Sequence, residues 1–350
     1  MHLSYRTRQF YRRLFRVILA LVLVALLVLL GWVLWVRRYI IYTNAGARID
    51  FSLTQDWAAG ITGQNRPPVQ VPQIVYPDAD DPVGGGDSGG DTEVELPSAR
   101  FEGFYLTVDD LLDNLDGVLE DIMALPEGTP VMVDVMGYWG YFYYSTQVGA
   151  TTSTSFHMAT MDAFFEAINS RGLYTIARLP AFRNYEYAMN HFSCGLQIGA
   201  GYLYADDKNA YWLDPANDTV LTYLVDISRE LRDMGFDEVS FLYFTFPDAD
   251  NLLYTGDRQE ALEKAAQTLV TACANDQFAV SFITTDPNFV LPAGNCRLYL
   301  QDVSAFDVED ILAAMDPATV ERVVFFTTSN DTRFQRCGTI KPISMALYSA

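Results

Sequence analysis

The stretch Gly235-Phe236-Asp237-Glu238-Val239-Ser240-Phe241-Leu242-Tyr243-Phe244-Thr245-Phe246-Pro247 decides the fold. It reads as the end of a helix, a tight turn and a buried strand. Ahead of it, Leu221, Leu224, Ile227, Leu231 and Met234 are spaced for one buried face, which predicts a helix over 220–234. Gly235 stands where a C-cap glycine belongs. The run 239–246 is almost wholly apolar and aromatic, as suits a strand covered on both faces of a parallel sheet. Pro247 cannot continue the ladder and marks the carboxyl end. In a barrel of such units the chemistry gathers at that end, and here the end is poor in polar groups.

The same pattern repeats on either side. Strands are predicted over 104–108, 131–136, 174–179, 210–213, 239–246, 278–284, 297–303 and 322–328. Amphipathic helices are predicted over 111–124, 158–170, 220–234, 258–274 and 308–315. Alternation of strand and helix argues for a parallel sheet. Eight strands favour a closed (β/α)8 TIM barrel over 99–350, and no G-x-G-x-x-G follows the first strand to support a Rossmann sheet.

The N-terminal part is organised differently. Residues 17–36 carry no charge and are long enough to span a bilayer core of roughly 30 Å. Five arginines, Arg6, Arg8, Arg12, Arg13 and Arg16, precede this run and only Arg37 and Arg38 follow it directly. The positive-inside rule then keeps 1–16 in the cytoplasm as a basic tail and sends the C-terminal bulk outward. The expectation is a single-pass membrane anchor. A cleaved signal peptide is the competing reading, with Asn44-Ala45-Gly46-Ala47 as the small-residue site. A membrane-proximal segment, 37–61, leads into 62–98, where prolines, glycines and aspartates interleave as a flexible charged linker.

Charge and cysteine content narrow the function. The chain has 23 Lys+Arg and 44 Asp+Glu; seven basic residues and no acidic ones precede Tyr39, leaving 16 against 44, a net of −28. Such a surface repels phosphates, which argues against nucleic-acid binding. Cys194, Cys273, Cys296 and Cys337 lack C-x-x-C spacing; they are either up to two disulfides, in any of three pairings, or buried free thiols. His2, His157 and His191 fall in no ligand motif, so neither a metal site nor a cofactor is expected. Sequons begin at Asn217 and Asn330.

Several patches resemble, in order, the bacterial glycoside hydrolase barrels distantly similar to the α-amylase superfamily. They are Ile41-Tyr42-Thr43 with Gly46, Gly103-Phe104-Tyr105-Leu106-Thr107, Val133-Asp134-Val135, Ile176-Ala177-Arg178 with Phe182-Arg183, Trp212-Leu213-Asp214-Pro215 and the stretch quoted above. Leu300-Gln301-Asp302 and Ser329-Asn330 are fainter echoes. The resemblance covers roughly 40–335 apart from the linker. It implies a TIM barrel acting on O-glycosyl bonds. The family strand resembles F-D-Y-x-R-F-P, whereas Leu242 and Thr245 stand here at the aspartate and arginine positions. The family also has V-K and acidic residues after its second strand, where Met136, Gly137 and Tyr138 stand here. The motif is degenerate, and catalysis is open.

Glycosidic hydrolysis needs two carboxylates, about 5–5.5 Å apart for retention or ~6.5–9.5 Å for inversion. Asp134 and Asp302 are the catalytic candidates, each at a strand exit. Asp134 is otherwise a buried carboxylate held by backbone donors or by Arg178, and Asp302 otherwise an ordinary loop acid. Arg178 either holds a substrate oxygen or pairs with Asp134. Asp214 either binds substrate or caps a helix entering at Pro215. Glu238 lies roughly 13 Å deeper than Leu242, four residues at about 3.3 Å each, and reads as a structural ion pair or a cap. Tyr138, Trp139 and Tyr141, with Trp212 and Tyr243, offer flat faces for stacking on sugars, or pack over the barrel mouth.

Two functional readings follow. One is an outward-facing, membrane-anchored enzyme on a cell-envelope or extracellular polysaccharide, peptidoglycan fragments included. The other is a pseudoenzyme that binds a glycan or a protein partner. A purely structural envelope role is a third.

Overall fold

Eight parallel strands close on themselves. β1 (Glu102–Leu106), β2 (Pro130–Asp134), β3 (Tyr174–Pro180), β4 (Glu238–Leu242), β5 (Ala279–Thr284), β6 (Leu298–Leu300), β7 (Val323–Phe326) and β8 (Gly338–Pro342) pair in that order, and β8 returns to β1. Helices α1 (Val108–Ala124), α2 (Met158–Ser170), α3 (Tyr185–Asn190), α4 (Asp218–Asp233), α5 (Arg258–Cys273), α6 (Val308–Ala314) and α7 (Pro317–Val320) fall between them. This computed structural model describes residues 40–43, 46–49, 101–148, 151–199 and 201–344. The apolar run 17–36 and the linker 62–98 lie outside them. Among the described residues no helix is long and apolar enough to cross a membrane. Ile40–Thr43 and Gly46–Ile49 pair as an antiparallel hairpin.

The α4–β4 unit forms much as its sequence dictates. Asn217 caps α4 by accepting from the Thr219 N–H at 2.9 Å, with Asp218 in the first turn and Arg232 in the last. Its other end is a Schellman motif: the Gly235 N–H donates to Arg232 O at 2.9 Å and the Phe236 N–H to Leu231 O at 3.2 Å. Gly235 sits at φ +95, where a side chain would be strained. Val220, Leu224, Ile227 and Leu231 are fully buried, so the helix docks by this one face. In β4, Val239 and Phe241 join the outer core under the helices, while Leu242 joins the cluster inside the barrel with Met132, Ile176 and Ile283.

Two strand expectations are corrected. Residues 210–213 are not a barrel strand, because β3 pairs directly with β4. They run antiparallel to the chain leaving β3, through the bridge of Arg183 with Trp212, and build the rim. Four apolar residues between polar loops are too short a signal to separate a rim segment from a barrel strand. The eighth strand is instead Gly338–Pro342, whose Gly, Lys and Pro content hides it. A Cβ at Gly338 would meet Val324 Cγ2 at 3.0 Å and Phe101 Cβ at 3.1 Å, so this strand closes the barrel by close backbone approach. The strand expected over 239–246 also stops early, at Leu242, because Tyr243 turns left-handed with φ +54.

Near the bottom of the barrel Glu238 is wholly buried. It accepts from Tyr174 Oη at 2.8 Å, from Tyr299 Oη at 2.9 Å and from Arg297 Nη1. Arg297 also lies over the Phe101 and Tyr174 rings, at 4.8 and 5.2 Å. Glu238 is thus the structural ion pair that its depth implied. Its charge is matched inside the barrel and does not reach the mouth.

Candidate active site at the barrel mouth

A cavity of about 690 Å³ opens at the carboxyl ends of the strands. Tyr105 comes from β1, Arg178 from β3, Leu242 and Tyr243 from the end of β4, Gln301 and Asp302 from just after β6, and Phe326 from β7. Thr327, Thr328 and Ser329 add hydroxyl groups from the chain after β7. The mixture of ring faces and hydroxyls is suited to a polyhydroxyl ligand, whose apolar faces stack and whose edges hydrogen-bond.

Asp134 stands behind this cavity rather than in its wall. Arg178 donates to it through Nε at 2.7 Å and Nη2 at 3.1 Å, and the Val108 N–H donates to its Oδ2 at 3.1 Å. Val108 is the first residue of α1, so the carboxylate also sits at a helix N-terminus. The ion pair offered as one reading of Asp134 and Arg178 is present. Burial disfavours the Arg178 cation, but the Asp134 carboxylate outweighs it and raises the guanidinium above its usual range. Arg178 lies 5.5 Å from the Tyr105 ring centre and still lines the cavity.

Asp302 is exposed, lines the cavity and has φ +60. Among the described residues its carboxylate makes no ion pair. Tyr243 lines the same cavity, also left-handed. A tyrosine there costs more than an aspartate, because Asp and Asn tolerate that region best. Two non-glycine residues in a rare conformation face one pocket, as expected where strain is kept for a function.

The aromatic residues named from sequence divide. Tyr138 is buried, whereas Trp139 and Tyr141 are half-buried on the loop after β2, and none of the three belongs to the cavity wall. Trp139 packs on Tyr185 with ring centres 5.0 Å apart, and Tyr185 stacks on Tyr211 at 5.1 Å. Trp212 is buried and meets Tyr243 edge-on at 6.0 Å. Asp214 does not cap the helix, as one reading of it expected, but makes a turn, accepting from the Ala216 N–H at 2.9 Å; the cap is Asn217.

Sequence reasoning gave no role to Arg183 and Asp206, which tie the rim to the pocket. Arg183 donates to Asp206 Oδ2 at 2.6 Å and to Tyr243 Oη at 3.1 Å, with its guanidinium 4.0 Å from the Tyr138 ring centre and 4.9 Å from that of Tyr243. Trp212 Nε1 donates to the same Asp206 oxygen at 3.0 Å. Burial would raise the Asp206 carboxyl, but Arg183, Trp212 and the Ala210 N–H together hold it below its ordinary range. Arg183 was visible as part of the Phe182-Arg183 patch. Asp206, in an irregular loop, carried no signal.

These features define a closed parallel barrel with an aromatic- and hydroxyl-lined pocket at its carboxyl face. The chain belongs to the family described as “Putative glycosyl hydrolase domain” (DUF4015), whose model matches residues 103–282. No curated protein matches the chain. Among solved structures it is similar to a hypothetical protein from Ruminiclostridium thermocellum, with 21% identity over 56% of this chain and 96% of that one and a TM-score of 0.40. It is similar to the α-galactosidase of Thermus thermophilus, with 18% identity over 53% and 38% of the two chains and a TM-score of 0.39. For the β-N-acetylhexosaminidase of Bacteroides fragilis the figures are 11%, 66% and 51%, and 0.48. The chain thus spans about half or less of the length of these two named glycosidases. At such identities and scores the likenesses carry no argument about activity.

Proposed function

We propose that this protein binds a saccharide at the barrel mouth without cleaving it, as a membrane-anchored, outward-facing module acting on an envelope or extracellular polysaccharide or a peptidoglycan fragment. One observation carries the reading: among the described residues Asp302 is the single carboxylate in the cavity wall. Hydrolysis requires one carboxyl to protonate the leaving oxygen and a second to attack or to activate water. Asp134 has both oxygens committed to three donors. Leu242, in the wall, has no proton to give and no lone pair to attack with. Membership of a glycosyl hydrolase family supports a carbohydrate ligand, and the ring faces of Tyr105, Tyr243 and Phe326 supply stacking surfaces. The uncharged run 17–36 behind a cluster of arginines supports the anchor and its orientation.

The test uses the full-length chain in detergent on a glycan array that includes peptidoglycan fragments, with each hit assayed for release of reducing ends. Retention without release is the expected result. Release that survives in Asp302→Asn would refute the assignment of this pocket, and release abolished by it would make the protein an enzyme. Protease treatment of intact cells should remove the barrel and spare the N-terminal tail.

A further inference from the structure

The charge of the cavity says which saccharides it accepts, given the binding reading above. We propose that the ligand carries a protonated amine, as a non-acetylated hexosamine does, and that Asp302 is its counter-ion. Two charged side chains line the cavity, Arg178 and Asp302. Arg178 is neutralised: two of its nitrogens are spent on Asp134, which lies behind the wall. Asp302 is not neutralised. It is exposed, makes no ion pair among the described residues, and is held in the pocket wall by a left-handed backbone.

The charged residues Asp331, Arg333 and Lys341, which follow β7 in the chain, stand outside the cavity wall. Asp331 and Arg333 pair with each other, with Arg333 Nη2 at 2.7 Å and Nε at 2.9 Å from the carboxylate. Lys341 Nζ instead donates to Asn330 Oδ1 at 2.9 Å. Among the described residues the cavity wall therefore presents one unmatched negative charge. It does so on a chain whose portion from Tyr39 onward carries 16 basic and 44 acidic residues. That field concentrates cations at the mouth and excludes polyanions such as uronate polymers. An ammonium on the sugar adds a direct Coulomb attraction to the hydrogen bond that a neutral amide can also give the Asp302 carboxylate.

Calorimetry on the full-length protein at about pH 6 decides the matter, with tetramers of glucosamine, of N-acetylglucosamine and of galacturonate as probes. The glucosamine tetramer should bind about tenfold tighter than its acetylated counterpart, a difference of about 1.4 kcal/mol. Galacturonate should bind weakest. Asp302→Asn should bring the first two within about twofold of each other. Raising salt to about 0.5 M should weaken only the amine, because screening acts on the ion pair. Equal binding of amine and amide, tighter binding of galacturonate, or a preference that survives Asp302→Asn would overturn the proposal and leave saccharide binding standing. Failure of all three probes and of the wider array would remove the binding reading itself.

Discussion

Arg178 grips Asp134 through Nε and Nη2 at 2.7 and 3.1 Å, with both side chains almost fully withdrawn from water. The pair joins β2 to β3 at the level of the cavity floor and, through the Val108 N–H, ties both to the start of α1. Asp134→Ala would leave a buried guanidinium without its counter-charge. It should cost about 3–5 kcal/mol in urea unfolding, and pairing it with Arg178→Met should recover more than half of that loss. A cost below about 1 kcal/mol would mean that water reaches Arg178 and the pair is not structural.

Asp302 makes the opposite trade. Its backbone is left-handed and its exposed side chain has no ion pair to lose among the described residues, so Asp302→Gly should raise stability by up to about 1 kcal/mol. Asp302→Ala keeps the strain and should not. Both should lose saccharide affinity. Thermal melts of the three proteins give the comparison, and equal stabilities for Ala and Gly would show that no strain is stored there.

The rim has its own acid dependence. Asp206 is held below the ordinary aspartate range, so the stability it contributes is complete at neutral pH. That contribution is lost as the pH falls below about 3.9 and on through the lowered value, where the unfolded chain has taken up the proton first. Unfolding followed from about pH 7 to 3 should therefore be steeper in pH for the wild type than for Asp206→Asn. Parallel profiles would mean that Arg183 holds its place between the rings without Asp206.

All four cysteines are free thiols and buried. Burial pushes Cys296 and Cys337 up to about 11, leaving almost no thiolate at neutral pH. A thiol reagent at pH 7 should be consumed only after denaturant is added, and then by all four residues. Reducing agent should leave the melting temperature unchanged. A drop on reduction would return the disulfide reading.

The elements that sequence located best are those whose local chemistry is redundant. For α4 and β4, hydrophobic spacing, a C′ glycine and an apolar strand all point to one answer, and the structure follows within a residue or two except at Tyr243. The eighth strand was missed because Gly338, Lys341 and Pro342 suit a strand only beside β7 and β1. Arg178, Tyr243 and Asp302 were named from sequence and meet at one cavity. Tyr105 and Phe326 were not named as site residues, since a barrel-lining aromatic and a mouth-lining aromatic look alike in a string. The clamp of Arg183 on Asp206 joins residues 23 apart across short, mixed elements that include α3, and has no periodicity to betray it.

Sequence by itself determined the barrel class, the membrane-anchor expectation and the acidic composition, because each is written in residue content or in short-range spacing. Tertiary structure alone decided which charges cancel. Asp134 and Asp302 are equivalent as letters at strand ends. One meets an arginine and a helix N-terminus behind the wall, and the other stands unpaired in it. Charge compensation depends on distances of a few ångströms between residues far apart in the chain, and no local pattern encodes those distances.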